Sequence, residues 1–159
     1  MKYCYFYQTE LGRVGIQEEG SMITHIYFDG ENPPADVLQE ETELLKEAGK
    51  QLQEYLAGER TEFSLPLSAR GTAFMERVWE GLCTIPYGET RSYRDIAEAI
   101  GNPKACRAVG MANNRNPIPI FIPCHRVIGA NGTLTGYGGG LAIKEHLLQL
   151  ERQKSGQVQ

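Results

Sequence analysis

The chain is 159 residues long, 41% of them hydrophobic, and it carries a formal net charge of −4. A chain of this length can bury a core of ordinary size, as one domain or as two small ones packed together. No apolar run approaches the roughly 18 residues that cross a bilayer, and the N-terminal MKYCYFYQTE lacks the pattern of a signal peptide. We therefore expect a cytoplasmic protein without membrane contact.

The spacing of the cysteines argues against disulfide and metal chemistry. All four lie far apart with no CxxC pair, which indicates neither a disulfide framework nor a zinc ribbon. We predict reduced thiols and no bound metal. Cys83 and Cys106 fall inside predicted helices, so we interpret them as structural.

Charge is divided unevenly along the chain. Residues 1–70 hold six basic and thirteen acidic side chains, a net charge of −7, whereas residues 71–159 hold ten and seven, a net charge of +3. Such asymmetry suggests that the second half can meet a polyanion.

The N-terminal part predicts a small α/β unit. Alternating apolar and polar residues in YCYFY, RVGIQEEG and SMITHIYFDG, separated by turns with glycine, indicate an antiparallel meander. Apolar positions near helical spacing predict a long amphipathic helix from Val37 to Leu56. The segment SLPLSARG reads as a linker, so we place the domains at residues 1–68 and 69–159.

The second part predicts helices in a helix-turn-helix arrangement. Thr72 can cap one helix, and Ser92 with Asp95 resembles a capping box at the start of another. After a turn at Gly101, a further helix runs from about Pro103 to residue 113. Its predicted buried positions are Ala105, Ala108, Val109 and Ala112, and its predicted outward positions are Lys104, Arg107, Met111 and Asn114.

A helical hairpin alone does not establish DNA binding, because such hairpins are common and small residues also let two helices pack tightly. Local charge favours a DNA-binding function, with a net charge of +3 over residues 86–130. The charged side chains in this count are Arg91, Arg94, Lys104, Arg107, Arg115 and Arg126 against Glu89, Asp95 and Glu98.

The segment NPIPIFIPCHR presents a candidate nucleophile. Its three prolines predict a stiff apolar strut that delivers Cys124 to a defined place. A buried, inert thiol is the plain alternative. Against it, His125 and Arg126 supply a base and a fixed positive charge that favour a thiolate, and a proline before the cysteine often marks a helix start.

Two further elements surround this cysteine in sequence. The segment GANGTLTGYGGG is a glycine-dense loop of 12 residues, and long loops beside a candidate nucleophile are usually functional. The loop matches neither phosphate-binding glycine motif. A closing helix carries Ile143, Leu147, Leu148 and Leu150 on its apolar side, with Glu151 near its end.

PCHRV, preceded by GNPKACRAVGMANNRNPIPIFI and followed by GYGGGLAIKEHLLQLE, resembles the methylated-DNA-protein-cysteine methyltransferases, the O6-alkylguanine-DNA alkyltransferases. The resemblance covers nearly all of residues 71–151. It implies a mixed α/β (α+β) fold, with a small ribonuclease-H-like first domain and a mainly helical second domain that holds the helix-turn-helix. Some relatives hold zinc in the first domain, but only Cys4 and His25 lie near plausible positions here.

The resemblance also implies catalytic roles. Cys124 would accept the alkyl group from O6 of guanine or O4 of thymine. His125, reached through water and oriented by Glu151, would draw the thiol proton, and Asn116 would brace the strut. Tyr93 would rotate the phosphate and offer its hydroxyl to the flipped base.

The same resemblance implies a DNA surface and a pocket. Arg107 would enter the base stack, with Ser92, Tyr93, Lys104 and Arg126 as further DNA contacts. Val127, Tyr137 and Gly138 would line the pocket. Gly138 stands where some relatives carry serine, which removes one hydroxyl from that wall.

A soft thiolate suits the displacement of an O-alkyl group, and the reaction requires no cofactor. Because water does not hydrolyse a thioether, each molecule reacts once. We expect a monomer that binds the minor groove of double-stranded DNA containing alkylated bases and extrudes the damaged base. One alternative is a cysteine hydrolase, which needs an oxyanion hole. The other is a non-catalytic module that binds alkylated DNA, although relatives of that kind lack the cysteine.

Overall fold

The computed structural model describes residues 1–157 and divides the chain into two compact units, Met1–Ala69 and a second unit that begins at Arg70. The predicted boundary falls between residues 68 and 69. Within the described residues, no helix has both the length and the apolar composition of a membrane span.

The first unit is built on the predicted meander. Strands β1 (Lys2–Thr9), β2 (Gly12–Glu19) and β3 (Met22–Tyr27) pair antiparallel in sequence order. A short strand β4 (Leu38–Gln39) pairs parallel with β1, which gives the sheet order β3-β2-β1-β4.

Helix α1 spans Glu43–Leu56, so the prediction that it begins at Val37 is wrong. The backbone at Leu38 is instead drawn into the sheet as part of β4. The Thr42 hydroxyl then accepts a hydrogen bond from the Leu45 amide at 3.1 Å, which fixes the helix start.

The apolar face of α1 forms the core of this unit against the sheet. Tyr7 reaches under the helix and donates its hydroxyl proton to the Leu45 carbonyl at 2.9 Å. Gly49 permits this approach, since a Cβ there would lie 2.7 Å from the Tyr7 ring. The fully buried members of the face are Leu45, Ala48, Leu52 and Tyr55.

The second unit is mainly helical. The Thr72 hydroxyl caps α2 as predicted, and Ser92 and Asp95 form the predicted capping box of α3. The elements are α2 (Ala73–Leu82), β5 (Arg91–Ser92), α3 (Tyr93–Ala99), α4 (Cys106–Asn114), β6 (Val127–Ile128) and α5 (Leu141–Gln157), with β5 and β6 paired in parallel.

Helices α3 and α4 form the helix-turn-helix, with one boundary and one buried position differing from prediction. Gly101 takes a φ of 80° between the helices. Helix α4 begins at Cys106 rather than near Pro103, because a turn closed by the hydrogen bond from the Ala105 amide to the Asn102 carbonyl, 3.0 Å, occupies the preceding residues. Ala108, predicted to be buried, is exposed.

Candidate active site

Helix α4 is anchored through its inner face. Val109 and Ala112 of α4 are buried, and the Trp79 indole of α2 donates a hydrogen bond to the Ala112 carbonyl at 2.8 Å. A buried indole N–H needs such a partner. The outer face of α4 is thereby turned to solvent.

Asn116 organises the strut that leads to the cysteine. Its side-chain oxygen accepts from the Ile118 amide at 3.0 Å, and its side-chain nitrogen donates to the Ile122 carbonyl at 2.9 Å. The strut turns sharply, since Ile120 has a φ of 75°, a strained value for a β-branched residue. Asn116 therefore ties both sides of a turn together.

Cys124 is 3% exposed and begins a three-residue 3-10 turn, Cys124–Arg126. Its carbonyl accepts a hydrogen bond from the Asn113 side chain at 3.3 Å. Burial raises the pKa of the thiol to about 11, although the Asn116 side chain and the Lys144 charge act to lower it. The prediction that its neighbours favour a thiolate is therefore wrong for the free protein, and a base must remove the proton.

His125 is the adjacent base. It is fully buried, and its Nε2 lies 2.7 Å from Glu151 Oε2. Burial lowers the pKa of His125 against the opposing effect of Glu151, so the ring is neutral at physiological pH. With the proton on Nε2 donated to the carboxylate, Nδ1 is the nitrogen that can accept a proton.

Glu151 is held ionised by two cationic or polar neighbours. Burial opposes its ionisation, but the hydrogen bond from His125 and the Arg126 guanidinium overcome this and lower its pKa to about 2. Arg126 donates from Nε and Nη2 to the two carboxylate oxygens at 2.9 and 3.0 Å. The Gly88 amide donates a further bond at 3.1 Å.

The assignment of Arg126 as a DNA contact needs correction. Its side chain is buried, and its remaining nitrogen, Nη1, donates to the Ile85 carbonyl at 2.7 Å. A guanidinium engaged in this way by Glu151 and Ile85 is not presented to a phosphate. Arg126 instead fixes the carboxylate that orients His125.

Lys144 is a site residue that the sequence analysis missed. It is fully buried on α5, and its ammonium donates to the Val127 carbonyl at 2.6 Å and to the Thr135 carbonyl at 2.9 Å. Burial lowers the pKa of Lys144, while the cysteine opposes this. One signal was present in the sequence: Lys144, Leu147, Leu148 and Glu151 follow the i, i+3, i+4, i+7 spacing of one helix face.

The glycine-rich loop, GANGTLTGYGGG, packs beside α4. Tyr93 shares a hydrogen bond with the Thr135 hydroxyl, and its ring lies 3.8 Å from where a Cβ on Gly110 would stand. Tyr137 is buried and Gly138 is exposed. The carbonyl of Val127, a residue predicted to line the pocket, accepts the hydrogen bond from Lys144.

Only part of the predicted basic surface lies open. Arg91 pairs with Glu89 and Arg94 pairs with Glu98. The side chain of Ser92 caps α3. Arg94 stays exposed beside Glu98, whereas Arg126 is buried. The exposed basic side chains on and next to α4 are Lys104, Arg107 and Arg115, which we call the α4 basic face.

Two cysteines differ from their predicted surroundings. Cys83 is the C-terminal cap of α2 and is exposed, whereas Cys106 is the first residue of α4 and is half-buried. Neither is an interior helix position, because both helices are shorter than the sequence pattern indicated. In residues 1–157, no three His, Cys, Asp or Glu side chains form a group that could hold a metal ion.

Comparison with known proteins places both parts of the chain in one family. Residues 73–153 match the family model for the DNA-binding domain of 6-O-methylguanine DNA methyltransferase, and residues 2–69 match its ribonuclease-like domain. A constitutive methylated-DNA--protein-cysteine methyltransferase of Bacillus subtilis is 52% identical over 96% of both chains. The Mycobacterium leprae methylated-DNA--protein-cysteine methyltransferase is 49% identical over 97% of this chain and 94% of its own.

A solved structure is similar over the same extent. The crystal structure of Mycobacterium tuberculosis OGT in complex with DNA superposes with a TM-score of 0.91 at 46% identity, covering 96% of this chain and 94% of that one. The chain described here belongs to the 6-O-methylguanine DNA methyltransferase family.

Proposed function

We propose that this protein repairs DNA by direct reversal, with Cys124 as the residue that accepts the alkyl group. The main observation in support is the buried thiol of Cys124 at the end of the strut that Asn116 braces. The next residue is a neutral histidine that Glu151 holds in place. The substrates are duplex DNA bases alkylated at O6 of guanine or O4 of thymine. Family membership and the DNA complex of the mycobacterial protein support this reaction.

The reaction is a displacement at carbon. A bond forms between the Cys124 sulfur and the alkyl carbon, the carbon–oxygen bond breaks, and its electron pair stays on the base oxygen. Because a thioether is not cleaved by water, the protein is consumed in one turnover. The chemistry needs no cofactor.

The thiol proton leaves through His125. Because burial raises its pKa to about 11, the Cys124 thiol is almost entirely protonated near neutral pH. Nδ1 of His125 takes the proton through a water molecule, and Glu151 stabilises the imidazolium that forms. Asn116 and Lys144 then stabilise the thiolate, since both act to lower the cysteine pKa.

The α4 basic face binds the DNA in the minor groove. Lys104 contacts phosphate, and Arg107 fills the gap that the extruded base leaves in the stack. Tyr93 rotates the phosphate and offers its hydroxyl to the base, with Ser92 alongside. Tyr137, Gly138 and Val127 surround the extruded base.

We further propose that the protein acts as a monomer in the cytoplasm. His125 and Glu151 of the same chain meet at 2.7 Å next to Cys124, so the proposed chemistry needs no residue from a second copy. A reactive thiol functions in a reducing compartment. A cysteine hydrolase is less well supported, since its chemistry requires an oxyanion hole for a carbonyl. A non-catalytic DNA-binding module is not favoured, because Cys124 is present.

The test is mass spectrometry after mixing the protein with a duplex that contains one O6-methylguanine. We expect one added methyl group, about 14 Da, on the peptide that carries Cys124. Cys124→Ser is expected to bind the lesion without transfer, because a hydroxyl is a poor nucleophile at neutral pH. Methylation of Cys83 or Cys106 instead, or transfer by the serine variant, contradicts the assignment.

A further inference from the structure

The Tyr93 hydroxyl is engaged by the glycine-rich loop. It shares a hydrogen bond with the hydroxyl of Thr135, 42 positions along the chain. The Tyr93 ring packs against α4 at Gly110, so its position is set by the helix while its hydroxyl meets the loop. Thr135 has no role in the reaction described above.

Thr135 itself is held at a second point. Its carbonyl accepts a hydrogen bond from the Lys144 ammonium at 2.9 Å, and the same ammonium donates to the Val127 carbonyl at 2.6 Å. The next residue, Gly136, lies so close to α4 that a Cβ there would stand 3.0 Å from the Asn114 side chain. The backbone at Thr135 is therefore fixed, which directs its hydroxyl toward Tyr93.

The direction of this hydrogen bond matters for the leaving group. When the carbon–oxygen bond breaks, the base departs with the electron pair and carries negative charge until it gains a proton. A tyrosine hydroxyl has one proton to donate and can also accept. If Tyr93 donated to Thr135, that proton would not reach the base, whereas if Thr135 donates to Tyr93, the Tyr93 proton is available to the base.

We propose that Thr135 is a positioning residue whose hydroxyl donates a hydrogen bond to the Tyr93 oxygen and thereby directs the Tyr93 O–H to donate its own hydrogen bond to the departing base. The inference rests on the proposed function, since it assumes that Tyr93 meets the extruded base. The fixed Thr135 carbonyl and the packing of Tyr93 on Gly110 hold the two hydroxyls together before DNA binds. The bond to Tyr93 thus presets a donor for the leaving group.

Thr135→Val tests this because valine keeps the branched shape and removes only the hydroxyl. The measurement is the single-turnover rate at saturating duplex with one O6-methylguanine. We expect a loss of about tenfold for Thr135→Val, the effect of one oriented hydrogen bond. Thr135→Ser keeps the hydroxyl and is expected to restore the rate.

Thr133→Val is the matched control in the same loop. The Thr133 side chain is exposed and its hydroxyl donates to the Asn131 side chain at 2.7 Å, away from Tyr93. We expect this variant to react at the wild-type rate. An equal loss in Thr133→Val and Thr135→Val overturns the proposal, because it indicates a general effect on the loop.

Two further measurements separate positioning from a structural role. In a Tyr93→Phe background, Thr135→Val is expected to cause no additional loss, since the group that it orients is gone. Methyl iodide, whose iodide leaves without a proton donor, is expected to methylate Cys124 equally fast in wild type and Thr135→Val, as measured on the Cys124 peptide.

The contrary results are distinct. A wild-type rate for Thr135→Val on duplex, an undiminished loss in the Tyr93→Phe background, or an equal loss toward methyl iodide each overturns the role of Thr135. Failure of the wild-type protein to take up a methyl group from the duplex overturns the proposed function instead.

Discussion

The outer face of α4 and the buried cluster around Glu151 each contain an arginine, but the two arginines have different surroundings and different roles. Arg107 is exposed on α4, whereas Arg126 is buried and donates to both oxygens of Glu151. In the sequence both count equally toward a basic segment. Net charge therefore identifies a region that can meet a polyanion, but it does not show which of the charged side chains are exposed to that polyanion.

The physical difference between the two regions is desolvation. A buried ion costs several kcal/mol unless a partner compensates it, so Arg126 and Glu151 depend on each other for stability. An exposed ion such as Arg107 remains hydrated and its charge is available to a ligand. Loss of a charge in the buried cluster is expected to lower the stability of the fold, and loss of a charge on the outer face of α4 is expected to affect the reaction with DNA.

Arg126→Ala is expected to have the largest effect, a loss of stability. Removing the guanidinium leaves Glu151 buried with only His125 and the Gly88 amide. We expect the free energy of unfolding to fall by about 3–5 kcal/mol, measured by urea denaturation. Arg107→Ala is the control and is expected to change it by no more than about 0.5 kcal/mol. Equal effects would remove the distinction between the two arginines.

Glu151→Gln tests the same cluster through pH. The folded-state pKa of Glu151, about 2, lies below its ordinary value of 4.5, so its contribution to stability is complete above that value and is lost as pH falls toward 2. We expect the variant to lose about 2 kcal/mol at pH 7. Its deficit relative to wild type is expected to stay constant from neutral pH to about 4.5 and to shrink as pH falls further toward 2.

The pH series also provides the contrary outcome. A deficit that stays constant as pH falls from 4.5 toward 2 would show that ionisation of Glu151 does not support the fold. Because the other carboxyl groups titrate in both proteins, the comparison is the difference between the two unfolding free energies at each pH.

Arg107→Ala tests whether the exposed arginine takes part in repair of duplex DNA. If Arg107 fills the gap left by the extruded base, its loss is expected to slow repair of saturating duplex by about tenfold, with no effect on a free base such as O6-benzylguanine. Single-turnover rates on both substrates measure this. A normal saturated rate on duplex would leave Arg107 as a phosphate contact only.

Lys104→Ala has the smallest expected effect. An exposed lysine that contacts one phosphate contributes affinity without affecting the chemical step. We expect the slope of log binding constant against log salt concentration to become shallower by about 0.9, with the saturated repair rate unchanged. An unchanged slope would exclude Lys104 from the DNA surface.

Local signals accounted for much of the fold. Thr72 and Ser92 predicted two helix starts because capping needs only a side chain and the backbone three residues later. The predicted start of α1 lies too early in the chain, because the residues before the helix form β4, which pairs with a strand far away in sequence. Likewise α4 starts late because the turn before it satisfies its backbone locally.

The candidate site divides in the same way. Cys124 and His125 were identified from their adjacency in the sequence, and the role of Glu151 was implied by the family resemblance. Lys144 and Asn113 were found only in the structure, where α5 and α4 pack around the cysteine turn. The thiolate prediction failed for a related reason. Sequence neighbours suggested a low pKa, but burial is the largest influence on the thiol and raises it.

The sequence by itself determined the elements, the family resemblance and the residue types available for chemistry, because periodicity, capping and motif spacing are local properties. Only the tertiary structure decided which charges are buried, which carbonyls Lys144 ties together and how Thr135 meets Tyr93. Burial and hydrogen-bond partners depend on residues distant in sequence, and these fix whether a charged side chain stabilises the core or faces DNA.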